Sequence, residues 1–239
     1  MSNVVGKLAA DTIAKIWLYR EKVEFEVSFL FGKLYEKLTY LGAPKPLSSL
    51  VAKAQEDELQ HASMCRSIIV SLNPKIKALP LELQELQMPG KDWNLSQKAL
   101  YTSVALSCIT ETFSTALLLE MRKLSSDPLV KQTVRKILKD EIAHSRIGWA
   151  HLAWANSLQQ PLAWLSDCIP AMLDCALVGD SALFSLITQE YEAFGILTAE
   201  TSKKLVQQTF YEVIVPGLQL YGISPEPAIA KLQRQNLAI

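Results

Sequence analysis

Apolar residues recur every three to four positions along most of the chain, which is the spacing of one face of an α-helix. No run alternates apolar and polar residues with the period of two that marks a strand, and no Asn-Gly hairpin signal occurs. The pattern therefore predicts an all-α protein. Its four longest predicted helices cover residues 9–40, 47–72, 94–124 and 128–157.

Helix boundaries are marked by residues that favour caps and turns. The first predicted helix ends at Gly42, just before Pro44 and Pro46, and the second ends before Asn73. Asn94 is followed three residues later by Gln97, which predicts a capping box at the start of the third helix. The Asp127-Pro128 pair predicts an N-cap followed by proline in the first turn of the fourth.

Four long helices with one long connection, between the second and the third, are typical of an up-down four-helix bundle. Three or four shorter helices are predicted in 161–235, within 164–177, 181–197 and 200–220, and Pro216 is expected to break or kink one of them. Only Gln159-Gln160-Pro161 separates this part from the fourth helix, so no linker is indicated. We expect a single domain over 1–239, with the bundle in 9–157 and a helical extension, 158–239, packed on it.

The stretch 100–119 is long and apolar enough to span a membrane, but it carries Glu111 near its middle. A carboxylate at the centre of a bilayer costs roughly 2.5–3.5 kcal/mol. A helix that is buried on nearly all sides inside a bundle accounts for the same composition. We therefore expect no membrane span, and Glu111 needs a reason to be inside the protein.

Composition and charge exclude several classes of protein. Hydrophobic residues make up 49% of the 239 positions, enough for a sizeable core, which argues against disorder. Lys plus Arg equals Asp plus Glu, so the net charge is zero and nucleic acid is an unfavourable partner. The four cysteines follow no zinc-site or CxxC spacing, and the first residues contain no secretory signal. We expect a cytoplasmic protein with reduced thiols.

Two matching motifs carry the candidate chemistry. Residues 57–61 read Asp-Glu-Leu-Gln-His and residues 140–144 read Asp-Glu-Ile-Ala-His, so that both are D-E-x-x-H on a predicted helix. Positions three apart share one face of a helix, so Glu58 with His61, and Glu141 with His144, could each reach a metal ion. The chain has three histidines, and two of them fall in these motifs. A chance recurrence is therefore the less favoured interpretation.

A two-metal site in such a bundle takes one further Glu from each of the other two helices. On the third helix this is Glu111, the one charge between Lys98 and Glu120. On the first helix, heptad steps from Glu24 are apolar apart from Arg20, whereas steps from Glu26 end in two lysines. Glu24 is therefore preferred, and Glu26 is the alternative.

The predicted set of metal ligands has a formal charge of −4, which matches two divalent ions. Its members are Glu24, Glu58, His61, Glu111, Glu141 and His144. Oxygen-rich ligation with one His per ion suits iron or manganese better than structural zinc. Asp57 and Asp140 could each accept the free ring N–H of a ligand histidine across the bundle and so fix its tautomer; the alternative is a solvated Asp on the helix face.

These motifs resemble those of the ferritin-like di-iron carboxylate superfamily, over roughly residues 10–157. The combination of Val23-Glu24, Leu41-Gly42-Ala43-Pro44, DELQH, Cys108-x-x-Glu111 and DEIAHSRIGWAHLAW is similar to bacterial proteins known only as ferritin-like domain proteins. The resemblance implies a ferritin-like four-helix bundle, two iron ions (or manganese at one site), and the same six ligands. It does not identify a substrate, and residues 158–239 match none of the enzymes in that superfamily.

Three further residues could belong to the site. Thr115 lies one turn after Glu111, where the related bacterial multicomponent monooxygenases have a threonine beside their oxygen-binding pocket; a core threonine bonded to its own helix is the alternative. His151 shares a face with His144 and could line a channel, or be a hydrogen-bonded core residue. Arg20, one turn before Glu24, could bind a substrate carboxylate or pair with a neighbouring acid.

The resemblance implies an oxidoreductase of the oxidase or oxygenase type that activates dioxygen to act on a small organic substrate. Its expected partners are dioxygen, that substrate and an external electron donor, because no flavin or iron–sulfur motif is present; the chain could also form a homodimer. Two alternatives are a ferroxidase or iron-handling protein and a non-catalytic scaffold stabilised by metal. The helical extension favours the oxygenase, since a storage ferritin is little more than its bundle.

Overall fold

The computed structural model describes residues 6–90, 92–177 and 187–234, with the main chain alone of Cys175 and Leu177. Within these residues the regular elements are all helical and no strand occurs, which confirms the all-α fold class. The four longest helices are α1 (Lys7–Tyr40), α2 (Lys45–Leu72), α3 (Leu95–Leu124) and α4 (Pro128–Ser157).

The capping residues determine where α3 and α4 begin. The Asn94 side chain accepts the Gln97 N–H at 2.9 Å, and the Gln97 side chain accepts the Asn94 N–H, so the predicted capping box is confirmed. Asp127 accepts the N–H groups of the first turn of α4 and so confirms the predicted N-cap. Helix α2 begins two residues before the predicted start, because Pro46 in a first turn needs no hydrogen-bond donor.

The long helices pack as neighbours around the buried faces that the heptad pattern predicted. Helix α1 contacts α2 and the start of α3, and α4 contacts both α2 and α3. The connections Leu41–Pro44 and Ser125–Asp127 are short, so each pair of consecutive helices lies side by side. Residues such as Phe31, Leu34 and Ile69 are fully buried between these helices.

Helix α3 is not α-helical throughout. Residues Leu95–Ser103 and Thr112–Leu124 are α-helical, but Val104–Glu111 between them is π-helical, with a wider turn. By length and composition α3 could cross a membrane, but 67% of its most apolar stretch is buried inside the protein. Glu111, which terminates the π-helical stretch, is 3% exposed.

The C-terminal part packs chiefly on α3. It contains α5 (Ile169–Leu177), α6 (residues 199–219) and α7 (Glu226–Arg234). Residues 199–209 of α6 contact the end of α3, while α5 and the middle of α6 contact its π-helical stretch. Two 3₁₀ turns, Ala163–Asp167 and Gln189–Phe194, also lie in the described residues of this part. The segment is therefore joined to the long helices by a shared core.

Two predictions for this part are met only in part. Pro216 was expected to break or kink its helix, and it does not break it, because α6 continues to Gln219; a π-helical turn, Phe210–Ile214, comes just before the proline. The predicted helix in 181–197 is a 3₁₀ turn at Gln189–Phe194 in its second half, and its residues 181–186 lie outside the described part. Cys65, Cys108 and Cys168 are buried free thiols, whereas the side chain of Cys175 lies outside the described part.

Candidate metal centre

The structure brings the six predicted ligands together from all four long helices. Helix α1 supplies Glu24, α2 supplies Glu58 and His61, α3 supplies Glu111, and α4 supplies Glu141 and His144. Each of these residues is at most 5% exposed. The heptad spacing explains this convergence, because each residue lies on the buried face of its own helix.

The ligands form two overlapping groups. One contains Glu24, Glu58, His61 and Glu141, and the other contains Glu58, Glu111, Glu141 and His144. Within each group the ligand atoms lie within 4.8 Å of one another, so each group could hold a metal ion. Glu58 and Glu141 belong to both groups and are therefore placed where a carboxylate could bridge two ions.

Both histidines turn the Nδ1 atom toward the carboxylates. His61 Nδ1 lies 3.2 Å from Glu58 Oε2, and His144 Nδ1 lies 2.9 Å from Glu141 Oε2. The two ring centroids are 5.8 Å apart. Nδ1 is therefore the atom that each imidazole offers to a metal.

The opposite ring atoms contact the aspartates of the other motif. His61 Nε2 lies 3.3 Å from Asp140 Oδ2, and His144 Nε2 lies 3.4 Å from Asp57 Oδ2. Each motif thus supplies the carboxylate that faces the histidine of the other. A metal on Nδ1 requires the proton on Nε2, and these carboxylates are placed to accept it. Asp57 also pairs with the exposed Lys53.

Burial and the neighbouring carboxylates raise the pKa of two of the ligands, Glu58 and Glu111. Burial, with Glu141 beside it, raises the pKa of Glu58 well above its usual range. Burial and the carboxylates of Glu141 and Glu58 raise the pKa of Glu111 in the same way. In the Glu141–His144 pair, burial disfavours the charged form of both residues, but their hydrogen bond outweighs it. The pKa of Glu141 is lowered to about 2. The pKa of His144 is raised to about 11, with a contribution from Glu58.

A metal pair fits this donor set. Four buried carboxylates concentrate negative charge that two divalent cations would neutralise. Glu58 Oε1 lies 2.8 Å from His144 Nδ1 as an ion pair, and it is a buried oxygen that makes no hydrogen bond of regular geometry among the described residues. A cation between these groups would supply the missing contact.

A cavity of about 280 Å³ opens onto the carboxylate side of the ligand groups. Glu24, Glu111 and Glu141 line it, whereas neither ligand histidine does. Its other walls are largely apolar and come from α1, α3 and residues 195–197; they include Trp17, Val23, Val27, Phe113, Leu117 and Ile196. Gly195 turns the chain here with a left-handed φ of 71°, a conformation that favours glycine.

Arg20 is the basic residue among those that line the cavity. Its Nε donates to Glu24 Oε1 at 2.9 Å, and Nη1 lies 3.8 Å from the thioether sulfur of Met121. Although burial alone would lower it, the neighbouring Glu24 raises the pKa of Arg20, so the guanidinium stays charged. Pairing with a neighbouring acid, one of the two roles expected for Arg20, is therefore present.

Thr115 does not line the cavity. Its hydroxyl is buried and has no hydrogen-bond partner among the described residues, so the expected bond to its own helix is not formed either. Thr110 and Ser114 are the hydroxyl residues of α3 that do line the cavity beside Glu111. Sequence reasoning missed both residues, although Ser114 lies three positions after Glu111 and so shares its helix face.

His151 lies apart from the ligand groups, in the core between α3 and α4. Its Nδ1 is 2.7 Å from Ser103 Oγ, and its ring stacks on Trp154 with centroids 5.6 Å apart. Burial lowers the pKa of His151 to about 4, so the ring is neutral. Of the two roles expected for this residue, the structure places it as a hydrogen-bonded core histidine.

Comparison of the chain with protein-family models, with curated proteins and with solved structures finds no significant match. The arrangement of side chains described above is therefore the basis on which a function is inferred.

Proposed function

We propose that this chain is a dinuclear iron oxidase or oxygenase, built on a ferritin-like four-helix bundle, that activates dioxygen to oxidise a small organic substrate. The observation that carries the proposal is that Glu24, Glu111 and Glu141 belong to the ligand groups and also line a largely apolar cavity. A substrate in that cavity would lie directly beside the ligand groups. Manganese at one of the two positions is compatible with the same donors.

Glu24, Glu58, His61 and Glu141 would hold one ion, and Glu58, Glu111, Glu141 and His144 the other. Bound there, the metal pair would supply the binding and reduction of dioxygen. The protein's own contribution is to keep the proton of each histidine on Nε2, through Asp57 and Asp140, so that Nδ1 is free to ligate. The apolar walls exclude water from the carboxylate side.

The cavity favours an organic substrate over iron as the substrate. A ferroxidase must lead hydrated cations to its site, which calls for polar or acidic residues along the way. Here the walls beyond the ligands are mainly apolar, and Arg20 would repel a cation. The same cavity argues against a non-catalytic scaffold, in which nothing needs to approach the carboxylates.

The test is metal content followed by oxygen consumption. We expect about two metal ions per chain after anaerobic loading with Fe²⁺, as measured by elemental analysis. Glu111→Ala or His144→Ala should lose at least one ion, because each removes a donor that no neighbour can replace. Glu120→Ala on α3 and Ser145→Ala on α4 are matched controls, since Glu120 pairs with Lys123 at the surface and Ser145 bonds its own helix.

Full metal occupancy in both ligand variants would overturn the ligand assignment. With the metal bound, we expect the protein to consume oxygen in proportion to the amount of reductant added. In the cell, the external electron donor would serve in place of this reductant. Consumption in proportion to added Fe²⁺ over many equivalents would instead identify an iron-handling protein.

A further inference from the structure

The size and walls of the cavity limit what it can bind. Since a cavity of about 150 Å³ accommodates benzene, the 280 Å³ here has room for roughly eleven non-hydrogen atoms. Trp17 of α1 and Phe113 and Leu117 of α3 offer apolar contact to a molecule inside it. An occupant that matches these walls is apolar over most of its length.

One end of the cavity is different, because Arg20 and the carboxylate ligands meet there. The Arg20 Nε–H donates to Glu24, and the guanidinium lies over the Trp17 ring, 5.9 Å from its centroid. Its Nη1 faces the thioether of Met121, which is a weak acceptor. The Arg20 side chain is 23% exposed and lines the cavity, so it can reach a molecule inside. A guanidinium offers five N–H donors in a fork that matches a carboxylate.

Metal binding would increase the preference of Arg20 for an additional anion. Glu24 both pairs with Arg20 and belongs to one ligand group, so a cation would draw the Glu24 charge toward itself. Arg20 would then be a positive charge in a largely apolar site, and it would share the Glu24 carboxylate with the metal ion. This arrangement costs free energy unless another anion is near.

We infer that the cavity binds a monocarboxylate with a compact apolar body of roughly eleven non-hydrogen atoms, whose carboxylate is held by Arg20 and whose body lies along Trp17, Phe113 and Leu117. This inference names the substrate class of the proposed oxygenase and so rests on that function. Cationic molecules are disfavoured by the charge of Arg20, and a neutral molecule of the same shape leaves that charge paired with Glu24 alone, which it would share with a metal ion.

The experiment compares an acid with its alcohol of nearly equal shape. 3-Phenylpropionate and 3-phenylpropan-1-ol are titrated into the full-length, metal-loaded protein by isothermal calorimetry, and metal content is measured in the same samples. We expect the acid to bind about tenfold or more tightly than the alcohol, as a charge-assisted contact would give. Arg20→Gln should remove this preference, and Arg20→Lys should restore part of it.

Matched variants separate this site from general effects. Arg66→Gln breaks a similar pair with the buried Glu21 but lies outside the cavity lining, so it should leave acid binding within about threefold of wild type. Leu117→Trp fills the cavity and should abolish binding of both compounds. Leu119→Trp, at an exposed position of the same helix, should not.

Each outcome decides the matter. Equal binding of acid and alcohol, acid preference that survives Arg20→Gln, or binding that survives Leu117→Trp would overturn the inference. If Arg20→Gln loses metal, two other results decide instead: the ratio of the acid and alcohol affinities in wild type, and the binding measured in the two tryptophan variants. Full metal with no acid binding refutes the inference but not the proposed function, whereas acid binding through Arg20 without any metal refutes the proposed function alone.

Discussion

Glu24 and Glu26 lie two residues apart on α1 and have different surroundings. Glu24 is 5% exposed, joins a ligand group and pairs with Arg20. Glu26 is on the outer side, where it lies 3.5 Å from Lys22 Nζ and accepts the Glu82 N–H. A step of two residues turns a helix by about 200°, which separates the two carboxylates completely.

We therefore expect Glu24→Gln to lower the metal content by about one ion per chain, because a neutral amide replaces a charged donor. Glu26→Gln should leave both ions bound. Elemental analysis of the two purified variants, loaded in parallel, checks this. Loss of metal in the Glu26 variant alone would move the helix-α1 ligand by two residues.

His151 makes the protein sensitive to acid independently of the metal ligands. Its pKa is lowered from 6.5 to about 4 by burial, so the unfolded chain takes up the proton first as the pH falls. The folded state is favoured fully above pH 6.5 and loses on the order of 3 kcal/mol as the pH falls toward 4.

We expect His151→Asn to flatten the pH dependence of the free energy of unfolding between pH 6.5 and 4, because an amide can keep the contact with Ser103 Oγ but does not titrate. Urea denaturation at several pH values, with wild type in parallel, gives the difference. Parallel curves for the two proteins would mean that His151 is accessible to protons in the folded state.

For single residues, the sequence predicts which side chains could bind metal better than it predicts which side chains line the cavity. The D-E-x-x-H spacing was enough to propose Glu58, His61, Glu141 and His144, because each pair lies within a single regular helix. Arg20, which lies one α-helical turn before Glu24, was also identified as a candidate in the same way. Thr115 was a candidate because it lies one turn after Glu111, with a core threonine as the alternative. Residues Thr112–Leu124 are regular α-helix, and Ser114, three positions after Glu111, lines the cavity in its place.

The π-helical stretch of α3 packs closely against α4 at Gly148. A Cβ atom at this position would come within 2.6 Å of the Ser103 carbonyl oxygen and 2.5 Å of Cys108 Sγ. Two helix backbones can approach this closely only where one of them lacks a side chain. The glycine therefore allows α4 to follow the widened part of α3 and to carry Glu141 and His144 toward Glu111.

We expect Gly148→Ala to lower the free energy of unfolding by about 1–3 kcal/mol through overpacking, and to weaken metal binding by shifting α4. Chemical denaturation and metal analysis of the variant measure both effects. Gly6→Ala, where an added Cβ meets nothing within 4 Å, is the matched control. Equal stability of the two variants would show that the helices can move apart without cost.

Boundaries of elements were predictable where a single residue determines them. Asn94 and Asp127 cap helices through their own side chains, so local sequence was sufficient. Pro216 was expected to break or kink its helix, and α6 continues through it without a break. The apolar contacts of Phe210 and Ile214 with α3 hold that region in place, and contacts so distant in sequence cannot be deduced from local propensity.

For the whole molecule, the C-terminal part shares its core with the long helices. Phe210, Ile214 and Leu218 of α6 lie in one buried cluster with Leu100 and Val104 of α3, among others. The Trp17 indole N–H also donates to the Phe194 carbonyl at 3.0 Å. Removal of this part would leave apolar faces of both α1 and α3 exposed.

We therefore expect a chain truncated after Ser157 to be insoluble or to lose fixed tertiary packing. Near-ultraviolet circular dichroism and solubility measure this, with the full chain as the reference. A fragment 1–157 that unfolds cooperatively and binds metal would show the C-terminal part to be an independent module, and would weaken the argument that it shapes a substrate cavity.

The sharing of Glu58 and Glu141 between the two ligand groups has a mechanical consequence. Each ion would bind residues from the first helical pair, α1 and α2, and from the second, α3 and α4, so the metal pair acts as a non-covalent cross-link between segments far apart in the chain. The two pairs should then open together when metal is bound and separately when it is removed. On metal loading, hydrogen exchange of the α2 and α4 amides would slow by the same factor. The ions would then be what unites the two helical pairs into one cooperative unit.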